Sequence, residues 1–171
     1  MVMCLDSDET KLRMHLILFL LISGYTTRSQ QVLPFDLITD GVAFPTVKKD
    51  FSKMSPLIVI TELADIKQLD FAEAIMPYLS EVDFNQALVL LVLRGQMQDS
   101  GIVKVVIRDG NNVIVRTQDI DPGPGNYVVF GLTPPYQIIS VNKLGAWGNY
   151  FNFLLEREGS GLTSQQIEYV P

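Results

Sequence analysis

The stretch GIVKVVIRDGNNVIVRTQ, Gly101 to Gln118, constrains the fold more than any other part of the chain. Two runs that alternate apolar and polar residues flank a Gly-Asn-Asn segment, which is the pattern of an antiparallel hairpin. Val103, Val105 and Ile107 share one face of the first run, with Lys104 and Arg108 on the other. In the second run Val113, Val115 and Thr117 alternate with Ile114, Arg116 and Gln118. Side chains repeat every two residues along a strand, so uniting both apolar sets on one face requires odd positions to oppose odd positions. A three-residue loop, Gly110-Asn111-Asn112, meets that requirement, with Asn112 in the left-handed region. A β-bulge is the other device that restores the same parity.

The rest of the chain supplies further short strands. PFDLITDG (Pro34 to Gly41) reads as a first strand or arm, and the continuous apolar run PLIVIT (Pro56 to Thr61) as a buried strand. FNQALVLLVLRG (Phe84 to Gly95) has seven apolar residues at its centre. That is too few to span a bilayer and suits a central strand. YQIISV places Tyr136, Ile138 and Ser140 on one face, and NYFNFLLERE reads as another strand. One helical region is expected between Thr61 and Met76, with Thr61 as N-cap, Glu62 in its first turn and Pro77 as terminator. Asp70 and Glu73 form a second capping-box pattern, so a break near Gln68 is expected. The stretch DIDPGPGNYVVFGLTPPYQ surrounds its strand entries with prolines and glycines. Pro122 and Pro124 cannot donate ladder hydrogen bonds, so Asp121 to Gly125 reads as a crossing loop. The expected class is therefore α+β, mainly an antiparallel sheet with one helix region, arranged as a partly closed barrel or a sandwich.

Three parts are expected along the chain: a leader over residues 1–28, a single domain over 29–158 and a tail over 159–171 that is linker-like until Ile167. In the leader, Lys11 and Arg13 precede an apolar run from Leu16 to Ile22 that is too short for a mature transmembrane helix. That order fits a secretory signal peptide, with Ser29-Gln30-Gln31 as an unstructured mature terminus. Leu21-Ile22-Ser23-Gly24-Tyr25 has the shape of a lipoprotein box with Tyr25 where a thiol is needed, so no lipid anchor is expected. The protein is thus expected to be exported, in the periplasm, at the cell surface or outside the cell, with no stable membrane span in the mature form.

The chain's one cysteine, Cys4, and one histidine, His15, both fall within the leader. Thiol nucleophiles, histidine triads and most zinc sites are thereby excluded from the domain that follows. No catalytic residue, metal or cofactor is expected. The net charge is −6 and no basic stripe is present, which argues against a nucleic-acid partner. Asp119 and Asp121 have the oxygen ligands calcium prefers, but ordinary turn chemistry accounts for them better. Trp147, Tyr150, Phe151 and Phe153 form an aromatic group that reads either as a sugar- or peptide-binding platform or as strand packing. Pro134 and Pro135 stiffen the approach to Tyr136. Together with Trp147 these residues are the expected partner-binding positions, Tyr136 being the proposed anchor.

Between Pro34 and Lys143 the chain resembles the C-terminal domain family of PrcB, a protease-complex subunit. The resemblance rests on VDFNQALVLLVLRGQ, the hairpin after it, DPGPG and PPYQIISVNK. Where that family commonly has Thr-Gly-Gly-Tyr after its Gly-Gln strand, this chain has MQDSGI and keeps only Gly101. The resemblance implies an exported, non-enzymatic accessory domain that binds a protein partner, with a protease among the candidates. The alternative expectation is an exported ligand- or glycan-binding module built on the aromatic group.

Overall fold

The computed structural model describes residues 30–42, 55–93, 102–118, 136–159 and 161–171. Among these residues nine strands and two helices follow one another as β1 (Gln31–Leu33), β2 (Phe35–Val42), β3 (Leu57–Ile60), α1 (Leu63–Ile66), α2 (Ala72–Leu79), β4 (Ala87–Leu93), β5 (Ile102–Asp109), β6 (Asn112–Gln118), β7 (Tyr136–Asn142), β8 (Tyr150–Arg157) and β9 (Gly161–Tyr169). They form two sheets, one ordered β1-β5-β6-β8-β9 and the other β2-β7-β4-β3. The expected α+β class holds, with antiparallel pairing dominant and a sandwich rather than a closed barrel. One neighbouring pair, β6 and β8, runs parallel, because the chain between them crosses to the other sheet as β7.

Burial explains the contrast between the strands. The four-stranded sheet is covered on both faces, so β4 is the unbroken run ALVLLVL and not an alternating one. Leu88, Leu90 and Val92 point toward the five-stranded sheet, where they meet Val106, Val113, Val115, Phe151, Phe153 and Leu155. Val89 and Leu91 point the other way, toward Ile66, Ile75 and Leu79 of the helices. The five-stranded sheet is covered on its inner face only, so its strands alternate. The helical layer is split as the capping patterns suggest, although Glu62 and Phe71 are the N-cap residues. Asp65 Oδ2 accepts from Thr61 N at 2.8 Å, Thr61 Oγ1 at 3.0 Å and Glu62 N at 3.1 Å, which fixes the entry into α1. Pro77 does not end α2 but lies inside it. The helix runs two residues further, where Leu79 buries its side chain against the sheet.

The hairpin forms, but with a different register. Asp109 opposes Asn112, leaving only Gly110 and Asn111 in the turn. Gly110 has φ +59 and no non-glycine residue among those described has positive φ, which is the type II′ arrangement, not a left-handed Asn112. Arg108 therefore opposes Val113 and Val106 opposes Val115 on the inner face, while Ile107 opposes Ile114 on the outer face. A register shift between Val103 and Val105 returns Val103 to the inner face opposite Thr117. The bulge, and not the loop length, sets the parity.

Both ends of the domain differ from expectation. Gln31 is not in a disordered terminus: Gln31–Leu33 pairs with Val106–Arg108, and Leu33 is fully buried. Nor is 159–171 a linker. Gly161–Tyr169 pairs along the whole of β8, and Val170 closes the core behind it.

Candidate functional site

Tyr136, the expected anchor, is an internal residue. It opens β7 on the face that meets the helices and has no exposed surface. Its ring stacks on Phe71 with centroids 6.3 Å apart, and its hydroxyl donates to Ser55 O at 3.2 Å. Burial pushes the Tyr136 phenol up to about 12. The apolar strand draws the tyrosine inward, so it offers no side chain to a partner. Pro134, Pro135, the Asp119–Asp121 pair and the loop from Met97 to Gly101 lie outside the described residues.

Trp147 belongs to a loop held from beneath by Arg108. The inner-face position of Arg108, near the end of β5, sets its guanidinium against two rings that pack on each other with centroids 4.6 Å apart. Its Cζ is 4.9 Å from the centroids of both Trp147 and Phe151. The same group donates from Nη1 to Leu144 O at 3.0 Å, from Nη2 to Ala146 O at 2.9 Å and from Nε to Gly110 O at 3.3 Å. Gly145 has φ +77, which lets the loop bend its carbonyls toward that fork. Trp147 Nε1 donates back to Leu144 O at 3.1 Å. The ring and the N–H of Trp147 are therefore both engaged within the domain, and Trp147 closes one end of the sandwich.

Of the remaining aromatic group, Phe151 and Phe153 are core residues. Only Tyr150 faces out, because residues of even number on β8 point away from the core. Its cross-strand partner is Tyr169, with ring centroids 5.5 Å apart at 58°. Beside them Ile167 opposes Asn152, and further along Leu162 opposes Glu156. Tyr150 is 67% exposed, Ile167 63%, Leu162 56% and Tyr169 47%. The strand thus carries polar Ser164, Gln166 and Glu168 toward the sandwich and its apolar residues toward solvent. The sequence does contain this alternation. Its Ser-, Thr- and Gln-rich composition hides it, because a tail of that composition reads as linker.

The charged groups gather at the opposite end of the same sheet. Arg116 Nε bonds Glu156 Oε2 at 2.8 Å across the parallel pair. With Lys104, Arg157 and Glu158 they line an open groove of about 440 Å³. Cations and carboxylates alternate around it, so it presents no single sign of charge. Among the described residues no group of three or more His, Cys, Asp or Glu is placed to hold a metal ion. No helix among them is long and apolar enough to cross a membrane. Comparison with protein-family models, with curated proteins and with solved structures finds no match to this chain.

Proposed function

We propose that the protein is an exported, non-enzymatic interaction domain that binds a protein partner through the outward side of the β8–β9 hairpin. The observation that carries this reading is the uncharged surface formed by Tyr150, Tyr169, Ile167 and Asn152 on a chain of net charge −6. Tyrosines of this kind give large contact area at small entropic cost, and depletion of charge marks the centre of protein interfaces. The leader with Lys11, Arg13 and the apolar run to Ile22 supports export. Both the cysteine and the histidine lie within residues 1–28, which supports a role without thiol- or histidine-based catalysis. The resemblance to the PrcB C-terminal domain family supports an envelope protein, with a protease foremost, as the partner.

The test is capture from an envelope extract by the exported protein, beside a Tyr150→Ser/Ile167→Thr double variant. Recovery of one protein by the wild type and its loss with the variant supports the reading. The exposed Tyr150–Tyr169 pair is also the part of the aromatic group that a glycan could reach. Retention on a glycan array with no protein captured favours that alternative and rejects the protein-binding reading.

A further inference from the structure

We infer that the free edge of β9 pairs antiparallel with β9 of a second copy of this chain, joining two five-stranded sheets into one. The inference concerns the strand's edge and does not depend on the partner bound by its face.

Among the described residues the two sheets have four edge strands, and three of them are protected. An exposed edge is a template for further pairing, and proteins blunt it by shortness, proline, bulges or charge. β1 is three residues long. β3 is four residues long and follows Pro56. β2 carries two register shifts together with Asp36 and Asp40. β9 has none of this protection over most of its length. It is nine residues long and contains no proline, lysine or arginine. Its one register shift falls near the start, leaving Ser164 to Tyr169 regular. The one charge on it, Glu168, accepts from Gln166 Nε2 at 2.6 Å and is held along its own strand. Leu162, Thr163, Gln165, Ile167 and Tyr169 are all exposed, and among the described strands β8 alone pairs with β9, although β3 of the other sheet passes close to it.

A second copy fits this edge for two reasons. A two-fold axis turns any edge strand antiparallel to itself, so the same surface serves both partners and the assembly closes as a dimer. The side chains are then compatible. With Gln166 on the axis, Gln165 opposes Ile167, Thr163 opposes Tyr169 and Glu168 opposes Ser164. The two outward faces stay in register and no like charges meet. A net charge of −6 opposes self-association in general, whereas β9 carries a single charge.

The experiment is sedimentation equilibrium of the full chain over a range of concentrations, with Gln165→Pro and Gln166→Pro beside it. Adjacent residues of a strand direct their N–H groups to opposite sides, so one of the two prolines removes an outward N–H and the other an inward one. The wild type is expected to show a reversible monomer–dimer equilibrium. One proline variant is expected to keep the wild-type thermal midpoint and remain monomeric; the other loses midpoint because it breaks the ladder to β8. A wild type that is monomeric at every concentration overturns the inference, whether or not it captures another protein. A dimer that persists in the variant with the unchanged midpoint overturns it as well.

Discussion

Gln137 is the residue whose loss should reveal most about how the sandwich is held. It lies on β7 among apolar neighbours, is 5% exposed and faces the other sheet. Its Oε1 accepts from Val103 N at 2.8 Å, at the point where the β5–β6 ladder shifts register. The side chain thus satisfies a buried backbone donor beside the bulge and ties one sheet to the other. Replacing it with leucine keeps the volume and removes the acceptor. A buried N–H left without a partner costs about 1–3 kcal/mol, and apolar burial of the new side chain offsets part of that. A net loss of about 1–2 kcal/mol is expected, which lowers the midpoint by roughly 2–8 °C in a domain of this size. Gln137→Glu keeps an acceptor but buries a carboxylate, which favours the protonated form and raises its folded pKa. The stability of that variant is therefore full below the unfolded carboxylate pKa and lost as pH rises through the folded one. Thermal and urea unfolding across mildly acidic pH measures both effects. A Gln137→Leu protein as stable as the wild type, or a Gln137→Glu protein without recovery in acid, refutes the bridging role.

Arg108→Lys should cost about 1–2 kcal/mol, because an ammonium cannot serve two rings and three carbonyls at once. Trp147 is the chain's one tryptophan, so its emission should shift to the red in that variant, and an unchanged spectrum counts against the clamp. Tyr136 is held neutral, with its pKa pushed up to about 12 from an ordinary value near 10. Its contribution is complete below pH 10 and is lost as pH rises toward 12, a change on the order of 2 kcal/mol. Tyr136→Phe should flatten that alkaline loss in pH-dependent urea unfolding, and an unchanged slope contradicts the assignment. Burial lowers the Lys143 pKa, against the opposing pull of Asp83, so Lys143→Met should weaken the rise in stability that accompanies its deprotonation at alkaline pH. Intact mass after export should show a chain that begins near Ser29 and carries no lipid; retention of residues 1–27 contradicts export.

The sequence made the interior strands plain and the edges obscure, for a physical reason. β4 and β7 are enclosed on two sides, so burial demands continuous apolar runs that stand out from any background. The same pressure takes Tyr136 inward, although Pro134 and Pro135 before it suggest a presented loop. Edge strands lack that pressure. β1 needs only Leu33 to enter the core, and β9 satisfies its backbone against β8 while turning polar residues inward. Neither leaves a hydrophobic signature, so both read as unstructured termini. The hairpin lies between these cases. Its position follows from alternation, but its register depends on a bulge that exchanges Val105 for Val106 on the inner face, and alternation cannot distinguish the two solutions. Because the candidate surface lies on the obscure strand, the expected binding residues fell on Tyr136 and Trp147, both of which serve the fold.

Site-specific photocrosslinking in the host cell tests the interaction surface most directly. A photoreactive residue placed at Tyr150, on the outward face of β8, should yield one discrete crosslinked species containing a protein partner. The same residue at Glu73, exposed on α2, should yield none. Crosslinking from position 73 and not from 150, or from neither, contradicts the assignment of the β8–β9 face as the binding surface.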